Sequence, residues 1–215
     1  MIRLFVFDLD GTLVDSLRDL ADSANALLAA CGAPPLGEAA IGGMVGDGAA
    51  TLVARAFSSA GVAPPADALD RFLAIYDTRL LNHTRPYDGI PEVLAALGAR
   101  ASLALLTNKP RDATRRILAG IDLIKFFDED AMVGGNGPFP RKPDPAGLLH
   151  LCARAGVGTD AAMLVGDSAV DWRTARNAGT RICLARYGFG FRGFPQAELS
   201  AGETVIDAPQ DLLQL

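Results

Sequence analysis

The sequence predicts an α/β fold: a mainly parallel sheet flanked by helices, with a helical segment inserted after the first strand. Three observations carry this reading. Short apolar runs at Leu4–Phe7, Ala101–Leu106, Ala162–Val165 and Arg181–Ala185 are strand-length and bounded by turn residues. Amphipathic helical segments alternate with those runs from residue 86 onward, the pattern of βαβ units. Between residues 16 and 81, by contrast, helical periodicity recurs without a convincing strand.

The first run, Leu4-Phe5-Val6-Phe7, is apolar at every position, as expected of a strand covered on both faces. Leu17, Leu20, Ala21, Ala24, Leu27, Leu28 and Cys31 then follow helical spacing, with Asp15 or Ser16 as N-cap and Gly32 and Pro34-Pro35 as the stop. Leu52, Val53, Ala56, Phe57 and Ala60 mark a second amphipathic helix. Leu69, Phe72, Leu73, Tyr76 and Leu80 mark a third behind Pro64-Pro65. The turn-rich stretch Arg85-Pro86-Tyr87-Asp88-Gly89 is the junction back to the sheet.

Ile90–Leu97 reads as a short helix, Ala101–Leu106 as a strand, and the segment with Ile117 and Leu118 as a helix. Ala131-Met132-Val133 is a brief strand, and Pro145–Ala155 a helix with Leu148, Leu149 and Cys152 on one face. The strand Ala162–Val165 leads into a helix through Trp172 and Ala175 that stops at Gly179. Arg181–Ala185 is a further strand and Thr204-Val205-Ile206 an edge strand. The arrangement is Rossmann-like, with residues 1–15 and 86–215 as the core domain and residues 16–85 as the cap domain.

Bulk properties narrow the function. A net charge of −5 argues against nucleic acid or an anionic membrane as partner. Three cysteines, Cys31, Cys152 and Cys183, in apolar surroundings and without paired spacing fit a reducing compartment. No stretch has the length of a signal peptide or membrane span, so a cytoplasmic location is expected. The state expected is monomer or homodimer.

The strand ends carry polar residues that a purely structural strand does not need. The first ends in Asp8 and Asp10, the second in Thr107 and Asn108, and a later one in Asp167. Right-handed crossovers in a parallel sheet bring these carboxyl ends to one rim. Lys142 lies in the proline-rich loop Phe139–Pro145 that leads to a helix. Together these groups suit phosphoryl transfer. Oxygen ligands from Asp8 and Asp167 fit Mg²⁺, which takes carboxylates and substrate phosphate. Metal and Lys142 would screen charge while a carboxylate attacks phosphorus. Asp10 is the candidate to protonate the leaving alkoxide and later deprotonate water. Thr107 and Asn108 could hold phosphoryl oxygens as they gain charge.

Asp8-Leu9-Asp10-Gly11-Thr12-Leu13-Val14-Asp15-Ser16 resembles the first motif of the haloacid dehalogenase superfamily of phosphatases. Thr107-Asn108-Lys109-Pro110 resembles its second, Arg141-Lys142-Pro143-Asp144-Pro145 its third, and Gly166-Asp167-Ser168-Ala169-Val170-Asp171 its fourth. The resemblance implies Asp8 as nucleophile and Asp10 as general acid/base. It also implies Asp8, Asp167 and the backbone carbonyl of Asp10 as Mg²⁺ ligands, and Thr107 and Lys142 as phosphate ligands. Asp171 would support metal waters or orient Lys142. Dehalogenases of the superfamily lack the second acid, so Asp10 points to phosphate chemistry.

The helical insertion resembles the superfamily's small helical cap, whose substrate-reading loop corresponds to Gly42–Gly48, with Gly46 inside it. The string Gly46–Ala50 through Arg55, together with the second motif and Tyr187-Gly188-Phe189-Gly190, is similar to bacterial phosphoglycolate phosphatases. That similarity makes a small phosphorylated metabolite, and 2-phosphoglycolate in particular, the expected substrate. A phosphosugar mutase would also need both acids. A phospho-accepting regulatory module would use Asp8 but needs neither cap nor water-activating acid. Gly188-Phe189-Gly190-Phe191-Arg192-Gly193 matches G-x-G-x-x-G as a string, yet Phe194-Pro195 stands where a helix should open, which argues against a dinucleotide site.

Overall fold

In the computed structural model, which describes residues 1–215, β1 (Leu4–Phe7) is buried along its whole length. It is followed by β2 (Val14–Asp15) and the helices α1 (Leu17–Ala30), α2 (Glu38–Gly42), α3 (Ala49–Ser59) and α4 (Ala68–Asp77). The chain returns through β3 (Arg85–Pro86) and continues as α5 (Ile90–Gly98), β4 (Ser102–Leu106), α6 (Arg111–Gly120) and β5 (Met132–Val133). The remainder is α7 (Ala146–Arg154), β6 (Ala162–Gly166), α8 (Ala169–Ala178), β7 (Arg181–Ala185) and β8 (Thr204–Ile206). Short 3-10 turns join several of these elements.

The main sheet has the order β5-β4-β1-β6-β7-β8, and every pairing in it is parallel. From β1 the chain builds outward through β4 and β5, then restarts on the other side with β6. This is the doubly wound order, and its switch point lies between β1 and β6. Ligand crevices form there because the loops leaving the two strands diverge to opposite faces of the sheet.

Alternation along β1 assigns its two faces. Phe5 and Phe7 pack with Val93 and Leu94 of α5 and Ile117 and Leu118 of α6. Leu4 and Val6 pack with Leu148 and Leu151 of α7 and Trp172 of α8. Helices on both faces account for the unbroken apolar strands. The first of these clusters does not stop at the sheet: it runs through Leu9, Leu13 and Leu20 to Leu52, Phe57 and Phe72 in the inserted helices.

Several local features differ from the sequence expectation. Leu149 is exposed; Leu148, Leu151 and Cys152 form the buried face of α7. The helix α2 was not marked by periodicity, since five residues flanked by glycines are too short to show one. The two-residue strands β2 and β3 pair antiparallel, Val14 with Pro86 and Asp15 with Arg85, so both ends of the insertion are stitched together. Asp19 adds a second tie: its carboxylate accepts from the His83 and Thr84 backbone N–H groups and the Thr84 hydroxyl. At the start of α1, Asp15 accepts from the Leu17 N–H at 3.1 Å, which leaves Ser16 to turn its hydroxyl elsewhere. No helix is long and apolar enough to cross a membrane.

Candidate active site

The residues that close the parallel strands converge at the switch point. Asp8 directly follows β1, and its backbone N–H still donates to Val165 of β6 at 2.9 Å. The side chain is buried, with Oδ1 2.8 Å from the Lys142 ammonium. Lys142 reaches on to Asp171 Oδ1 at 2.6 Å. The second oxygen of Asp171 accepts from the Ser168 N–H and hydroxyl, in the capping box that starts α8. Asp171 is therefore held at both oxygens, and it fixes Lys142 from behind.

Asp167 follows β6 across the crevice from Asp8. Its Oδ2 accepts from the Gly190 N–H at 2.8 Å. Gly11 has φ +84°, and a Cβ there would lie 1.9 Å from the same oxygen. A Cβ on Gly188 would lie 2.2 Å from the Gly11 carbonyl oxygen. The late glycine-rich string, set aside as a dinucleotide site, thus packs close around Asp167. The lack of a Cβ at Gly11, Gly188 and Gly190 lets two loops approach one carboxylate.

Oxygens of Asp8, Asp167 and Asp171 lie within 4.8 Å of one another. Because Asp171 is committed to Lys142 and Ser168, the oxygens left for a cation belong to Asp8 and Asp167. Burial pushes the Asp8 carboxyl up to about 6, against the pull of Lys142 and with help from the Asp171 and Asp10 charges. Burial, with the charges of Asp171 and Asp8, holds Asp167 well above the usual carboxylate range. Two buried carboxylates that resist ionisation, each with an oxygen not bonded to a protein donor, fit a hard divalent cation such as Mg²⁺. Burial opposes the Lys142 charge too, but Asp171 and Asp8 outweigh it and keep the ammonium protonated.

Asp10, two residues beyond Asp8, points its carboxylate at a different set of partners. Oδ1 accepts from the Ser16 hydroxyl at 2.5 Å, and both oxygens lie 2.9 Å from the Lys109 ammonium. Lys109 is buried, and the resemblance of its motif gives it no role of its own. Nothing local marks it, because its partner is Asp10, far away along the chain. Burial opposes its charge, but Asp10 outweighs that and holds the ammonium in its protonated form.

Thr107 and Asn108 follow β4. Thr107 is buried, and its hydroxyl accepts from the Lys109 N–H at 3.2 Å. Asn108 Oδ1 accepts from the Lys142 N–H at 2.8 Å, while Nδ2 donates to the Lys142 and Gly46 carbonyls, each at 2.9 Å. Both polar atoms of its side chain are engaged, and they join the Lys142 loop to the Gly42–Gly48 loop. Gly46 adopts φ +117°, a conformation that side chains rarely allow. Asp47 pairs with Arg55 at 2.7 Å and so stays within the inserted helices. A cavity of about 250 Å³ lies between these helices and the sheet, reaching Asp8, Asp10, Thr107, Asn108 and Gly46.

The doubly wound sheet, the helical insertion and the carboxylate–lysine crevice define a hydrolase of one superfamily. Residues 5–185 match the haloacid dehalogenase-like hydrolases, and the chain belongs to that family. It is 42% identical over 210 residues to a phosphoglycolate phosphatase of Rhodospirillum rubrum, covering 94% of this chain and 86% of that protein. It is 38% identical over 196 residues to the plasmid phosphoglycolate phosphatase of Cupriavidus necator, covering 89% of this chain and 84% of that one. The crystal structure of a predicted phosphoglycolate phosphatase from Haemophilus somnus superposes with a TM-score of 0.89 at 33% identity, covering 99% of this chain and 97% of that one.

The raised carboxyls have a consequence for stability. Folded Asp8 takes up its proton at about 6 and unfolded Asp8 near 3.8, so between those values the folded protein holds more protons. Stability then rises as pH falls through that window. Acidifying metal-free protein from pH 7 to pH 5 should gain about 1 kcal/mol from Asp8, or roughly 2–4 °C in Tm. In EDTA, wild type should gain more Tm over this interval than Asp8→Asn, and Mg²⁺ should raise Tm at pH 7 and reduce the wild-type slope. Equal slopes in the two proteins, measured by differential scanning fluorimetry, would contradict the assignment.

Proposed function

We propose that the chain is a Mg²⁺-dependent phosphatase that hydrolyses a small phosphate monoester, with 2-phosphoglycolate as substrate, through an aspartyl-phosphate on Asp8. The observation that carries this reading is the pairing at the switch point. Asp8 stands 2.8 Å from Lys142 and within carboxylate reach of Asp167, while Asp10 opens on the same cavity. Bound Mg²⁺, held by Asp8, Asp167 and the Asp10 carbonyl, would neutralise phosphoryl charge and let an anionic nucleophile approach.

A free oxygen of Asp8 attacks phosphorus, the Asp8 O–P bond forms and the ester P–O bond breaks. Asp10 gives its proton to the departing alkoxide. It then takes a proton from the water that attacks the acyl-phosphate, and inorganic phosphate leaves Asp8 regenerated. Lys142 balances charge beside the nucleophile, Asp171 orients it, and the Thr107 hydroxyl binds a phosphoryl oxygen. Asn108 fits a positioning role through its bonds to Lys142 and Gly46. Residues 16–85 act as the cap domain, whose closure brings the Gly46 loop over the substrate and excludes bulk water.

A panel of small phosphate esters scored by kcat/KM tests the reading. The highest value is expected for 2-phosphoglycolate, with activity lost in EDTA and restored by Mg²⁺. Isomerisation of a hexose 1-phosphate without release of phosphate would assign a mutase instead, and a single phosphorylation without turnover a regulatory module. Activity unchanged by EDTA would remove the metal from the mechanism.

A further inference from the structure

Leu20, Leu52, Phe72, Leu73 and Leu80 give the cavity an apolar wall. Two of the polar groups that share the cavity with it are Lys109 and Tyr76. Lys109 is the only basic side chain lining the cavity, which also carries Asp8, Asp10, Asp77 and Asp112. Tyr76 of α4 is 5% exposed and lines the same space; its hydroxyl makes no well-formed hydrogen bond, and the Lys109 ammonium is the donor beside it. The Lys109 ammonium lies 4.7 Å from the centroid of the Tyr76 ring, so the two groups share one corner. A phenol buried without a partner costs free energy unless something else supplies one. An ammonium has three donors, and Asp10 engages Lys109 through two oxygens.

We propose that Lys109 and Tyr76 form a carboxylate-reading subsite that selects phosphate esters bearing an acid one carbon from the ester oxygen. The inference rests on the phosphatase reading above, and it supplies that reading with a source of substrate choice. Asp10 has to reach the ester oxygen to protonate it, and Lys109 is 2.9 Å from both Asp10 oxygens. The ammonium is therefore a neighbour of whatever the ester oxygen carries. In 2-phosphoglycolate that is a single methylene and a carboxylate. Lys142 does not line this cavity; its ammonium is turned to Asp8 and Asp171. In an acidic cavity a substrate carboxylate without a cation would be repelled; beside Lys109 it gains a charge-assisted bond and gives the Tyr76 hydroxyl an acceptor.

The test compares 2-phosphoglycolate with ethyl phosphate, which has the same carbon count and no carboxylate. Tyr76→Phe removes a hydroxyl that makes no well-formed hydrogen bond and keeps the ring beside Lys109, so its Tm should stay close to wild type. Its kcat/KM should fall about 10-fold for 2-phosphoglycolate and stay near wild type for ethyl phosphate. Lys109→Met, which also frees Asp10, should slow both esters yet lower the 2-phosphoglycolate to ethyl phosphate ratio by a further 10-fold or more. Ratios unchanged in both variants would overturn the subsite while leaving the phosphatase intact. Calorimetry in Mg²⁺ with Asp8→Asn protein, with and without Tyr76→Phe, measures the same preference without turnover. If wild type hydrolysed no ester but this binding preference appeared and was lost with the hydroxyl, the subsite would stand and the phosphatase reading would fall. If calorimetry showed no preference, the subsite would fall.

Discussion

Asp8→Asn is expected to lower turnover of every phosphate ester by about 10⁴-fold or more, the scale of removing a covalent nucleophile. The substitution keeps the shape of the side chain and removes the attacking charge. It does not strand Lys142, whose ammonium keeps its 2.6 Å bond to Asp171. Nor does it disturb the β1 backbone, since the residue's N–H to Val165 is a main-chain bond. The fold should survive, and metal-free Asp8→Asn should match or exceed wild type in Tm at pH 7. There burial opposes the native carboxylate's charge. Loss of activity with full thermal stability separates a missing nucleophile from a misfolded protein. Rapid-quench capture of an acid-stable phosphoprotein gives the direct measurement: a phosphorylated species with wild type and none with Asp8→Asn. Near-wild-type rates in the variant would refute attack by this carboxylate.

What could be read before the fold was known depended on how far apart the interacting residues lie. Strands buried on both faces announce themselves, because Leu4–Phe7 and Ala162–Val165 have no polar position to hide. The polar residues that end those strands were legible for the same reason: Asp8 and Asp167 break an apolar pattern at its carboxyl end. The strands β2 and β3 and the helix α2 were not, since two polar-flanked residues or little more than one helical turn leave no repeat to read. Position alone allowed Asp15 or Ser16 to cap α1; Asp15 takes the Leu17 N–H, and the Ser16 hydroxyl serves Asp10.

The least legible part of the site is the set of groups that act on its carboxylates. Gly190 donates to Asp167 and Lys109 holds Asp10, each from a distant segment. Asn108 could be chosen as a polar strand-end residue. That its amide is spent on Lys142 and Gly46 follows only from the loops that fold around it. A carboxylate can be located from its own strand, whereas its partners depend on the whole topology.

The sharpest division of labour concerns Asp10. Asp10→Asn is expected to reduce kcat for 2-phosphoglycolate by about 10²–10⁴-fold, the usual range for losing a positioned acid–base group. Asparagine keeps one oxygen to accept from Ser16 and Lys109, but its NH2 then faces the ammonium and Lys109 loses its counter-charge, so some loss of Tm accompanies the change. Its main-chain carbonyl is untouched, so the affinity for Mg²⁺, read as the Tm rise on titration, should stay close to wild type. What is lost is the proton. The penalty should therefore depend on the leaving group, being severe for an alkoxide such as glycolate and small for a nitrophenolate, which departs without protonation. With p-nitrophenyl phosphate the first step proceeds while water activation remains impaired, so a burst of nitrophenol followed by a slow phase is expected. The two carboxylates would then show different failures, Asp8→Asn with no burst and Asp10→Asn with a burst that stalls. An Asp10→Asn enzyme that turned over both esters at equal, undiminished rates would show that the proton travels by another route.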